Sequence, residues 1–196
     1  MTELLPLMSY CLVMSGTPGP NNLMLTTTGA NHGYRLAMPQ ILGINLGVAV
    51  QTWACCMGLG SLFAAYPLAH QLLRVVGTLY LVFLAWKLSG LKLADGQVAK
   101  PLGFGQAAMF QMVNPKTWVK SITLASVFMP QGMGVMPAAT LVAFIGVLIG
   151  FPCASMWALF GVAIRRLLKD PRKRRIFNLV MGGTLVALAV LLFLRA

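Results

Sequence analysis

Thr17-Pro18-Gly19-Pro20-Asn21-Asn22 falls midway along the first long apolar segment, where two prolines and a glycine interrupt a helix at the depth at which a bilayer tolerates broken helices least. Pro18 and Pro20 each lack a backbone donor, so carbonyls and amides on either side lose their helical partners and must find others. A second interruption, Asn114-Pro115-Lys116, lies in the fourth apolar segment, about half a chain length later. Paired breaks in two halves of a chain are the pattern of a carrier whose site lies between discontinuous helices.

The composition sets the solvent. With 58% apolar and only 9% charged residues, the chain has too little polar surface to cover a soluble globule of its size, and its apolar runs are repeatedly near membrane-spanning length. Windows of about 20 residues give six spans: Leu4 to Thr28, Ala37 to Ala64, Leu68 to Lys87, Gly105 to Met129, Met136 to Ile164, and Ile176 to Leu194. The expected fold is therefore an all-α integral membrane protein of six transmembrane helices, with helices one and four broken. Short connections leave no room for a separate soluble domain, so residues 1–196 are expected to form one transmembrane domain. The first 34 residues contain no Lys or Arg, which differs from a secretory leader, and span one is expected to be retained.

A net charge of +12 could mark a nucleic-acid partner, but its distribution follows the positive-inside rule. Arg35, Lys87, Lys92, Lys100, Arg165, Arg166, Lys169, Arg172, Lys173, Arg174 and Arg175 fall on one side, with Arg74 and Arg195 opposite. Loops one-two, three-four and five-six are then cytoplasmic and both termini periplasmic. The run from Arg165 to Arg175 lacks interleaved aromatics and abuts a span, so anionic lipid headgroups are its expected partner, and no nucleic acid.

Three spans per half imply that a duplication would place the halves in opposite orientations, as inverted repeats 1–92 and 103–196. Gly77-Thr78-Leu79 recurs as Gly183-Thr184-Leu185, Pro39 is answered by Pro137, and Gly47-Val48 by Gly146-Val147. Small residues such as Gly43, Gly58, Gly60 and Gly146 also serve simply to let helices approach closely. A homodimer is compatible with this composition, and no small-residue spacing marks its interface.

Lys116 and Lys120 stand one turn apart in span four and share a face if the helix continues, with Trp118 turned away. A lysine at mid-membrane costs about 2.5 to 3.5 kcal/mol on insertion scales, and two on one face repel unless hydrated or paired. The acidic residues Glu3, Asp95 and Asp170 all lie at the N-terminus or in cytoplasmic loops by this topology, so the counter-charge is either absent or belongs to a substrate. An amino-acid carboxylate could fill that vacancy, helped by free amides at a half-helix start after Pro20 or Pro115. Asn21, Asn22 and Asn114 add groups that donate and accept, suited to a zwitterion, or else they merely cap the broken ends. The candidate substrate-binding residues are therefore Pro18, Gly19, Pro20, Asn21, Asn22, Asn114, Pro115, Lys116 and Lys120, although Lys120 could instead snorkel to an aqueous cavity. The pattern calls for no cofactor and no metal.

PGPNN at Pro18–Asn22, His32-Gly33-Tyr34-Arg35, Ala85-Trp86-Lys87 and Asn114-Pro115-Lys116 together resemble the LysE/RhtB family of bacterial amino-acid exporters, over essentially the whole chain. Within it, the serial elements are most similar to the cysteine and O-acetylserine exporter group. The resemblance implies export of amino acids or close derivatives across the inner membrane, driven by proton antiport. With no intramembrane acid, a coupled proton would need Lys116, beside Lys120, or the substrate amine as its carrier. His32 and His70 fall near loops and are expected at the surface.

Other classes fit less well. A membrane thiol relay would need cysteines in spans one and four, whereas Cys11, Cys55, Cys56 and Cys153 lie in spans one, two and five, and no CxxC occurs. A metal-efflux carrier would use soft ligands, but the 13 methionines are scattered. An anion channel could use the same lysines, and it would conduct without saturable counterflow.

Overall fold

The computed structural model describes residues 4–59, 75, 79, 82, 86, 100–165 and 170–194, which form helices joined by short connections, with no strand among them. The helices are α1 (Leu4–Gly16), α2 (Pro20–His32), α3 (Tyr34–Ala54), α4 (Phe104–Phe110), α5 (Pro115–Val127), α6 (Val135–Ile164) and α7 (Pro171–Leu194). A π-turn, Cys55–Leu59, extends α3, and a 3-10 turn, Gln111–Val113, extends α4.

Helical geometry stops after Gly16 and resumes at Pro20, and stops again at Asn114 before resuming at Pro115. Each resumption puts proline at the first helical position, where a missing N–H costs nothing because that amide has no intrahelical partner. The flanking half-helices α1, α2 and α5 have 13 residues each, about 20 Å, too short to cross a hydrocarbon layer of about 30 Å singly. By contrast, Tyr34–Leu59 and Val135–Ile164 are each long and apolar enough to cross alone.

Span one thus corresponds to α1 and α2, span two to α3, span four to α4 and α5, and span five to α6. Span six lies within α7, which begins earlier because the Asp170 carboxylate accepts from the amides of Arg172 and Lys173 at 2.8 and 3.4 Å. Of span three, Val75, Leu79, Val82 and Trp86 are described, each helical and exposed. The remainder of that span lies outside the described residues. So do Glu3, Gly60, His70, Arg74, Lys87, Lys92, Asp95, Arg166, Lys169 and Arg195.

Much apolar surface faces outward, while the largely apolar interior also takes in polar side chains. Large apolar residues such as Leu5, Met109, Val127 and Phe144 are exposed, while Gln40, Gln51, Gln111, Asn114 and Ser121 are buried. Only 28% of the most apolar 18-residue window of α6 is buried, so most of that surface needs an apolar solvent.

The half-helix α2 packs on α6, while α4 and α5 pack on α3, so each broken helix leans on the long helix of the other half of the chain. Glycines allow this closeness. A Cβ on Gly161 would collide with the Thr26 carbonyl, and one on Gly43 with that of Phe104. Between α2 and α3 the chain turns at Gly33, whose φ of 88° favours glycine. Two apolar clusters result, one joining Leu7, Cys11, Cys56, Leu124 and Val142, the other Leu25, Ala37, Ile41, Ala107 and Ala158. The polar breaks lie on elements that contribute to both clusters.

Candidate functional site

The carbonyls released at the end of α1 are taken up by side chains from distant parts of the chain. Thr17 Oγ1 donates to Val13 O at 2.8 Å, Asn22 Nδ2 to both Ser15 O and Thr17 O at 2.8 Å, and Trp157 Nε1 on α6 to Gly16 O at 3.1 Å. Lys116 Nζ donates to Thr17 O and Thr17 Oγ1 at 2.9 Å and to Pro18 O at 3.1 Å. Its three N–H groups are thereby all engaged, and the negative end of the α1 dipole faces its charge.

This arrangement changes the meaning of two residues. Gly19 is not there for a left-handed backbone, since its φ of −179° is extended; a Cβ at Gly19 would stand 2.8 Å from Lys116 Cδ, so glycine makes room for the lysine stem. Lys116, expected to lack a counter-charge, finds partial negative charge in the broken helix end.

The second break is organised by a residue the sequence reading missed. Gln111 is fully buried and exchanges two hydrogen bonds with Asn21, whose Nδ2 donates to Gln111 Oε1 at 2.9 Å while Gln111 Nε2 donates to Asn21 Oδ1 at 3.1 Å. Gln111 O also accepts from Gln51 Nε2 and from Thr117 Oγ1. Asn114 caps α5 by accepting from Lys116 N at 3.2 Å and donates to Gln111 Oε1 at 3.3 Å. A glutamine three residues before the break was visible, but only tertiary packing pairs it with Asn21.

Between the breaks lies a cavity of about 570 Å³, its open mouth included, lined by Met14, Ser15, Gly19, Pro20, Asn21, Asn22, Ile44, Asn45, Val48, Asn114, Lys116, Thr117, Lys120, Gly146, Gly150 and Ala154. Of the nine sequence candidates, Gly19, Pro20, Asn21, Asn22, Asn114, Lys116 and Lys120 line it; Pro18 and Pro115 shape the breaks without lining it. Trp118 is buried, with its Nε1 on Met112 O.

Lys120 is 6% exposed and donates to Ser15 Oγ at 3.0 Å, the one acceptor it has among the described residues. Two of its three donors remain unspent beside an open space. No cysteine is in a disulfide among the described residues, and no set of three His, Cys, Asp or Glu gathers among them to hold a metal. His32 is half-buried at the end of α2.

Broken helices around a polar cavity, in a chain with much exposed apolar surface, are the arrangement of a membrane translocator. The chain belongs to the LysE type translocator family, whose model matches residues 12–196. It is 34% identical over 190 residues to the cysteine/O-acetylserine efflux protein of Escherichia coli (strain K12), covering 94% of each chain. The protein of the same description from Shigella flexneri is also 34% identical over the same share, and that from Escherichia coli O1:K1 / APEC is 33% identical. No solved structure matches the chain.

Proposed function

We propose that this protein exports a small amino acid of the cysteine and O-acetylserine class from the cytoplasm across the bacterial inner membrane, by proton antiport. The observation that carries the proposal is the cavity between the two breaks, in which Lys120 is buried with two unspent donors and no carboxylate beside it among the described residues. A buried cation so poorly matched by the protein is suited to a carboxylate that arrives and leaves. The relatives' efflux of cysteine and O-acetylserine supports the substrate class. Small residues at Gly146, Gly150 and Ala154 on the facing wall suit a short side chain.

In this proposal Lys120 binds the carboxylate, while Lys116 fixes the end of α1 to the start of α5 and Asn21, with Gln111, holds α2 against α4. The whole chain forms one transmembrane domain of six spans, as two inverted repeats with both termini periplasmic. The matching 13-residue half-helices, each starting on proline, support the repeat. Exposed Arg165, Arg172, Lys173 and Arg175 would then sit on the cytoplasmic face beside anionic lipid.

The test uses inverted membrane vesicles with an acid interior and a mixture of labelled amino acids and O-acetylserine outside. Accumulation that collapses with the proton gradient is the expected result. Equal uptake with and without the gradient would remove proton coupling, and no uptake of any amino acid by the folded, inserted protein would remove the export reading.

A further inference from the structure

We propose that Asn45 is the ammonium subsite of the cavity, so that the substrate is held by its two poles, the carboxylate on Lys120 and the α-ammonium on Asn45 Oδ1. The proposal rests on the export reading above and adds the residue that would make the site selective for amino acids over other small carboxylates.

Asn45 lies on α3, is 8% exposed, and lines the cavity that Lys120 also lines. Its Nδ2 donates to Ile41 O, one turn earlier, at 2.9 Å. That bond fixes which end of the amide is which, because the opposite assignment would set Oδ1 against the Ile41 carbonyl. The oxygen is thus the outward end, and no described residue donates to it. That acceptor opens onto the cavity, where it is available to a donor carried by whatever enters.

The vacancy beside that oxygen is specific. A Cβ at Gly150 would stand 2.7 Å from Asn45 Oδ1 and 4.0 Å from Ser15 Oγ, the group that accepts from Lys120. The open acceptor and the hydroxyl that positions the buried cation therefore border one small space, kept free by the missing side chain of Gly150. An α-amino acid carries its ammonium and carboxylate on the same carbon, so a short-range pair of one acceptor and one cation matches it. A carboxylate lacking the ammonium would forgo the bond to Asn45 Oδ1 that an amino acid makes, so the subsite discriminates by what the amino acid gains.

The test is counterflow in proteoliposomes of the full chain, preloaded with cysteine under reducing conditions. Labelled cysteine is competed by unlabelled cysteine or by 3-mercaptopropionate, which has the same thiol and carboxylate but no ammonium. The wild-type chain should favour cysteine about 100-fold or more in inhibition constant. Asn45→Leu should narrow that ratio to within about 10-fold by weakening cysteine while leaving 3-mercaptopropionate unchanged, the change expected from losing one donor-acceptor pair. Gly150→Ala, which places a methyl against the same oxygen, should narrow it in the same direction. Wild-type counterflow with the full ratio retained in Asn45→Leu and Gly150→Ala would overturn the subsite alone. No counterflow of cysteine, O-acetylserine or any other amino acid by the wild-type chain would overturn the export reading and the subsite with it.

Discussion

Replacing Lys120 by methionine should weaken substrate binding without weakening the fold, and the two effects can be sized separately. Lys120 has two donors free for a carboxylate, and hydrogen bonds to charged groups are each worth about 1.5 to 3 kcal/mol. Since the carboxylate in a partly open cavity will not realise both in full, a loss of about 3 kcal/mol is a reasonable magnitude, or roughly a hundredfold in half-saturating concentration. The fold moves the other way. A lysine at mid-membrane costs about 2.5 to 3.5 kcal/mol, and the single bond to Ser15 Oγ recovers only part of this. Methionine has similar length and needs no partner, so Lys120→Met should be at least as stable as the wild type, by about 1 kcal/mol. Concentration-dependent counterflow in proteoliposomes and thermal unfolding in detergent read the two quantities. A variant with unchanged half-saturation, or one that unfolds at a clearly lower temperature, would refute the assignment of Lys120 to substrate over structure.

Lys116→Met should give the opposite pattern, since it removes three bonds across the first break and leaves Pro18 O without its donor; a stability loss of about 1 to 3 kcal/mol is expected in the same melting assay. Gln111→Leu should abolish the exchanged pair with Asn21 and slow counterflow at normal membrane abundance, and wild-type rates would show that the two breaks need no such link. Gly161→Ala drives a Cβ into the Thr26 carbonyl and should reduce folded protein in the membrane, at a cost of about 1 to 3 kcal/mol. Gly183→Ala, with nothing within 4 Å, serves as the tolerated control.

The breaks at Thr17–Gly19 and Asn114 were legible because proline constrains its own backbone wherever it stands. The same holds for the apolar runs that became α3 and α6, whose hydropathy is a local property of the chain. The reason for Gly19 was not legible: between two prolines it stands as one more helix breaker, yet it clears the path of a lysine 97 positions later. Asn22 and Asn114 were open between capping and substrate, and their hydrogen bonds now serve the broken ends. Trp157 and Gln111 carried no local signal, because a glutamine or tryptophan in an apolar segment looks the same whether it faces a carbonyl or a methyl group.

The sequence by itself determined that this chain belongs in a membrane, that two of its helices must break there, and that two lysines enter one apolar segment while its three acids fall outside the apolar runs. These follow from composition and from backbone chemistry within a few residues. Tertiary structure decided which lysine is satisfied. Lys116 and Lys120 are one turn apart with the same intrinsic chemistry, but the former meets three oxygens of a broken helix and the latter meets one hydroxyl and an open space. That difference is made by where α1 ends relative to α5, a distance between segments that no local pattern encodes.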